Sequence, residues 1–76
     1  MAESRRLDAK GLRCPLPVLR ARRMMKQMAV GDVLVVEATD PGAITDFPAF
    51  CAATGHCLVE SRREGDILVF TIGKQN

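Results

Sequence analysis

Apolar and polar positions recur along the chain with two different periods, and glycine or proline marks each change of period. The breaks fall at Gly11, Pro15 and Pro17, then at Gly31-Asp32, Asp40-Pro41-Gly42, Gly55 and Glu64-Gly65-Asp66. Over 15–28, Val18, Ala21, Met25 and Met28 recur at helical spacing with Leu19 alongside. Arg20, Arg22, Arg23, Lys26 and Gln27 fill most of the other positions, so the spacing predicts an amphipathic helix with one basic side. Met24, Met25 and Met28 are expected at its core and rim. Residues 32–38 are aliphatic and β-branched and predict a strand buried on at least one face. The short run 5–9 predicts an edge strand. Residues 56–61 and 67–73 predict two more strands around a hairpin loop at 62–66, with Leu68, Phe70 and Ile72 pointing inward.

A second helix is expected between these strands. Phe47, Phe50, Cys51 and Thr54 share one face, and Gly55 suits the residue just past a helix end. Pro48 falls inside the pattern, where it removes a hydrogen bond and crowds the preceding turn. The expectation is therefore a loose turn over 41–45 and a helix that starts with Asp46 as its cap. Cys51, on the apolar face, is expected to be a small buried hydrophobe. The order is β-α-β-α-β-β, and right-handed crossovers place both helices on one face. The predicted fold is a two-layer α/β sandwich with a mixed four-stranded sheet.

Length limits the rest. Seventy-six residues, 47 % of them apolar, suit one domain over 1–76 rather than a disordered chain. The aliphatic runs 33–36 and 67–70 are only four residues each, so no membrane helix is expected. Ser4-Arg5-Arg6 is followed by Leu7-Asp8-Ala9-Lys10 rather than by the apolar stretch of an export signal. Three cysteines are an odd number and too few for a disulfide framework. A reducing, cytoplasmic location follows as the expectation.

Charge is uneven. The net value is +2, but residues 1–26 hold eight bases against Glu3 and Asp8, whereas 27–76 hold three bases against seven acids. The basic segment suggests an anionic partner. Arg20, Arg22, Arg23 and Lys26, with Arg13 nearby, are the candidate docking residues, and such a face would steer brief encounters with an acidic protein surface. A nucleic-acid module could use the same face. The absence of Trp and Tyr, and three Phe in core-like positions, argue against direct nucleic-acid binding.

The segment with the most chemistry is Gly11-Leu12-Arg13-Cys14-Pro15-Leu16-Pro17. With Pro15 at the first helical position, Cys14 becomes the cap, a poor choice for helix stability alone. A thiol there faces the positive end of the helix and, with Arg13 and Lys10 close in sequence, is expected to have a lowered pKa. Two prolines would hold it rigidly for exchange with another sulfur compound. There is no Cys-x-x-Cys, the one histidine is His56, and no general base lies near Cys14 in sequence. These features suit a carrier rather than a self-contained catalyst, with no cofactor. Cys14, Cys51, His56 and Cys57 match no common zinc spacing, so no metal is expected, and Cys57 is given a structural role. A redox-sensing domain is the remaining alternative class.

The run from Leu7-Asp8-Ala9-Lys10-Gly11 through Cys14-Pro15-Leu16-Pro17-Val18-Leu19 resembles the signature of the TusA/SirA-like sulfur carriers, a Cys-Pro-x-Pro turn preceded by Asp-x-x-Gly. The likeness continues through Gly31-Asp32, Asp40-Pro41, Asp46-Phe47-Pro48, Phe50-Cys51 and Gly55. It implies that Cys14 accepts sulfane sulfur from a cysteine desulfurase or rhodanese-like donor and passes it, as a persulfide, to an acceptor protein. Gly11, Arg13, Pro15, Pro17 and Asp8 would support it, and a monomer is expected. Destinations in the family include 2-thiouridine synthesis in tRNA, molybdenum-cofactor metabolism and sulfur oxidation. The residue between the prolines, acidic in the tRNA-thiolation carrier, is Leu16 here, which leaves the pathway open.

Overall fold

A computed structural model describes residues 3–76; the first two residues of the expected domain lie outside the described residues. Six elements follow in the expected order: β1 (Ser4–Ala9), α1 (Leu16–Met25), β2 (Val33–Ala38), α2 (Ala43–Thr54), β3 (Cys57–Glu64) and β4 (Ile67–Gly73). The sheet order is β1-β2-β4-β3, with β1 parallel to β2 and the other two pairings antiparallel. β1 is an edge strand. The four-stranded sheet is mixed, α1 packs on β1 and β2, and α2 packs on β3 and β4 beside it.

Alternation explains why one face of the sheet is core. Leu34, Val36 and Ala38 of β2 are fully buried, and Leu68, Phe70 and Ile72 of β4 pair beside them. From above come Ala21 and Met25 of α1, and Phe47 and Cys51 of α2. The Phe47 and Phe70 rings stack with centroids 4.6 Å apart, so the second helix is fixed over the central strand by a large apolar contact. Met25 and Met28 are buried in this core and Met24 packs at its rim.

Three element boundaries depart from the sequence pattern by more than one residue, each for a local reason. The first helix is shorter than 15–28. It ends at Met25, and tighter turns carry the chain on, with Gln27 N–H donating to Met24 O and Met28 N–H to Met25 O. Lys74 Nζ then reaches the Met25 and Met28 carbonyls at 2.6 Å each, a cation where a helix end needs one.

The second helix starts at Ala43, not at Asp46 after a loose turn. The Asp40 carboxylate accepts Gly42 N–H at 2.8 Å and Asp40 O accepts Ala43 N–H at 3.1 Å, so the helical turn is seeded early. Pro48 sits inside the helix but on its exposed side, and Ile44, whose carbonyl loses its partner, is also exposed. The break in the helix's hydrogen bonding therefore falls on its exposed side rather than in the core. The third departure is the hairpin: β3 runs on to Glu64, leaving only Gly65-Asp66 as the turn, with Gly65 at φ +60°. Arg62 pairs with Glu60 and Glu64 along this exposed strand.

Candidate functional site

Two loops leave the C-terminal ends of the parallel neighbours β1 and β2, the edge at which α/β sheets place their sites. The first loop is tied down before it reaches the cysteine. Asp8 Oδ1 accepts Lys10 N–H at 3.0 Å, and Lys10 Nζ lies 2.9 Å from Asp8 and 3.5 Å from Glu37. Lys10 holds the Asp8 carboxyl below its usual range. Gly11, at φ +82°, turns the chain, and its N–H donates to Thr39 Oγ1 of the second loop at 2.9 Å. Asp8 thus shapes the loop and does not touch the cysteine.

Cys14 is exposed and stands one residue before the expected place. Pro15 occupies the cap position, and α1 begins at Leu16 with Pro17 buried in its first turn. The Cys14–Pro15 peptide bond is cis. Leu16 N–H donates to Arg13 O at 2.8 Å, so an extra turn precedes the helix and that amide is not free to face the sulfur. The Cys14 amide is held from across the site, donating to Asp40 Oδ2 at 2.8 Å. The same carboxylate therefore clamps both loops, one oxygen on Cys14 and one on Gly42.

Gly42 completes the seat. A Cβ there would lie 2.8 Å from the Cys14 Cβ and 3.2 Å from its Sγ, so the thiol's own side chain occupies the space glycine leaves. From the first turn of α2, Asp46 accepts the thiol hydrogen on its Oδ2.

The electrostatics reverse the expected sign. The hydrogen bond to Asp46, local desolvation, and the charges of Asp46 and Asp40 all push the Cys14 thiol above its ordinary pKa. The bases counted on to lower it act elsewhere. Lys10 is engaged by Asp8 and Glu37, and the Arg13 charge helps to hold Asp40 below the usual carboxylate range, after the Cys14 and Gly42 amides. A carboxylate beside a thiol favours the neutral form, whatever the helix end contributes. At rest the sulfur is exposed, oriented and protonated.

Residues 5–74 match the family described as sulfurtransferase TusA. The chain belongs to the TusA family. It is 53 % identical over 68 residues to the sulfur carrier protein TusA of Allochromatium vinosum, covering 90 % of each chain. It is 46 % identical over 74 residues to the putative sulfur carrier protein YrkI of Bacillus subtilis, covering 97 % of this chain and 99 % of that one. The fold superposes on a SirA-like protein from Desulfitobacterium hafniense with a TM-score of 0.83 at 22 % identity, over 95 % and 99 % of the two chains. The two-layer sandwich is thus the fold of that SirA-like protein.

Within this TusA fold the basic candidates of α1 line adjoining hollows. Arg22 and Lys26 line the groove toward α2, Arg20 and Arg23 line a hollow toward β1 with Arg5 and Leu7, and Arg22, Arg23 and Lys26 share a third with Leu19. Arg13 is exposed in the loop before Cys14. Cys51 is buried, and burial pushes its thiol pKa up; Cys57 is exposed at the start of β3. Among the described residues, no helix is long and apolar enough to cross a membrane. The residues that sequence reasoning did not place at the sulfur are Asp40, Gly42 and Asp46. The visible signal was the run Asp40-Pro41-Gly42 ending one strand, since loops after parallel neighbours meet at one edge.

Proposed function

We propose that this protein is a sulfur carrier that holds sulfane sulfur as a persulfide on Cys14. The observation that carries this reading is the exposed Cys14 thiol, fixed through its own amide by Asp40 and through its hydrogen by Asp46. A sulfur presented in this way suits transfer between proteins better than catalysis in a closed pocket.

In the transfer, the Cys14 sulfur attacks the terminal sulfur of a donor cysteine persulfide. A sulfur–sulfur bond forms at Cys14, the bond within the donor persulfide breaks, and the donor leaves as a thiolate that takes up the proton Cys14 gave up. One sulfane sulfur changes owner with no net oxidation. Delivery to an acceptor runs the same exchange in the other direction. Asp46, which accepts the thiol hydrogen, keeps resting Cys14 neutral and so slow toward stray electrophiles. A donor that sets a positive group against Asp46 would lower the thiol pKa and release the thiolate, the form that attacks.

The partners are a cysteine desulfurase or a rhodanese-like protein as donor and a downstream acceptor protein. Arg13, Arg20, Arg22, Arg23 and Lys26 serve their docking, and Gly11, Pro15 and Pro17 hold the turn. Intact mass after incubation with cysteine and a cysteine desulfurase tests this directly. One added sulfur atom is expected on the wild type, removed by reductant and absent from Cys14→Ser. No gain with that donor, nor with a rhodanese and thiosulfate, overturns the carrier function.

A further inference from the structure

Two hollows meet between α1 and α2. The first, about 290 Å³, begins at Pro15 beside the cysteine, has Asp46 at its head, and is walled by Val18, Leu19, Ala49 and Phe50. The second, about 300 Å³, is walled by Arg22, Lys26, Phe50, His56 and Lys74. Arg22 and Phe50 line both, so the two form one groove that starts at Pro15 and Asp46, the chain neighbour and the hydrogen-bond partner of Cys14.

The groove changes character along its length. Near Cys14 it is apolar, with Leu19 half exposed at 50 % and one carboxylate, Asp46. At the far end it is cationic. Lys74 is already committed to the Met25 and Met28 carbonyls, but among the described residues Arg22 and Lys26 pair with no carboxylate. His56 Nδ1 accepts Gln75 N–H at 3.2 Å, which leaves Nε2 as the hydrogen-bearing nitrogen and a further donor.

We propose that this groove receives an extended segment of the protein that exchanges sulfur with Cys14, an apolar side chain lying by Phe50 and acidic side chains at Arg22 and Lys26. The inference rests on the carrier function proposed above. Polarity fixes which end lies where. Asp46 repels acids at the sulfur end and the unpaired cations attract them at the other, so the segment's exchanging cysteine lies at Cys14 and its acids lie at the far end. The length fits as well: Pro15 to Lys26 spans about 16 Å of helix, which about five extended residues would cover.

Disulfide exchange at Cys14 reads the groove directly. The peptide Cys-Ala-Leu-Ala-Glu-Glu is supplied as its mixed disulfide with glutathione to the Cys57→Ser protein, whose remaining second thiol, Cys51, is buried. Attack by Cys14 on the peptide sulfur forms the Cys14–peptide disulfide and releases glutathione thiol. Attack on the other sulfur forms the Cys14–glutathione disulfide and releases the peptide thiol. Intact mass gives the ratio of the two adducts at equilibrium. The ratio is expected to be about fivefold higher at low salt than with the Gln-Gln counterpart, the size of a coupling of about 1 kcal/mol. It should approach the Gln-Gln value in the Arg22→Gln/Lys26→Gln protein and in 0.5 M salt.

Equal ratios for the two peptides in wild type, or a preference that survives the double substitution, overturn the proposal. So does self-association of the chain through this groove, or its occupation by a single-stranded RNA oligonucleotide in place of the acidic peptide. Persulfide loading without peptide preference would retire the groove and leave the carrier standing. Peptide preference without loading from either donor would support the groove and retire the carrier.

Discussion

β2 carries an aspartate just beyond each end, and the two do the same thing for different purposes. Asp32, before the strand, is buried at 4 % exposure and accepts Glu3 N–H and Ala29 N–H at 2.9 Å each. Asp40, after the strand, is half-buried and accepts Cys14 N–H and Gly42 N–H at 2.8 Å each. Both carboxyls are held below their ordinary pKa by the amides they accept. Asp32 ties the end of the α1–β2 connection to the chain entering β1, with the Arg5 charge nearby and no thiol on hand. Asp40 ties two loops at the edge where Cys14 stands, and its second neighbour is a nucleophile. A carboxylate that gathers amides is a structural knot; its place in the sheet decides whether it is also part of a site.

Substitution separates the two ends. Asp32→Ala removes a buried carboxylate and leaves two part-buried backbone donors without it, and the Tm is expected to fall by more than about 5 °C. Asp40→Ala is expected to cost less, because water reaches its site, but to abolish hydrogen-exchange protection of the Cys14 amide. Thermal melts with amide exchange check both, and equal Tm losses would break the contrast.

The next largest effect is on reactivity. Asp46→Asn removes the acceptor carboxylate and its charge, so the Cys14 pKa falls. Alkylation of Cys57→Ser protein by iodoacetamide near neutral pH should then quicken by about tenfold for each pKa unit recovered. An unchanged pH–rate profile would mean that Asp46 does not govern the thiol.

Acid titration gives a smaller, shared effect. Each aspartate has a folded pKa below its unfolded value near 3.8. The stabilisation is therefore complete above that value and is lost as pH falls below it, through the lowered folded pKa values. Asp32→Asn should flatten the dependence of Tm on pH in this window more than Asp40→Asn does. The smallest effect is expected for Gly42→Ala. Its new Cβ displaces Cys14, while the smaller unfolded-state entropy of alanine at a right-handed φ offsets part of the strain, so the fold persists and the alkylation rate changes.

Much of the fold was legible in the sequence because burial imposes period. Leu34, Val36 and Ala38 alternate inward, and Ala21 and Met25 recur on the core side of α1, so the elements and their order followed. The start of α2 was misjudged, since Pro48 was weighed as a breaker without its exposed position or the turn seeded by Asp40. The candidate site was half legible. Cys14 announced itself by the two prolines after it, but its electrostatics did not follow from its neighbours in the chain. Lys10 and Arg13 are close in sequence and directed elsewhere, whereas Asp40 and Asp46 lie 26 and 32 residues away and bond to it.

The sequence alone determined the elements, the mixed two-layer fold and the position of the candidate thiol, because hydrophobic period and proline placement act over a few residues. Tertiary structure decided the protonation of that thiol, the seat provided by Gly42 and the groove between the helices. Charges act through space, and only the parallel pairing of β1 with β2 brings the two loops together.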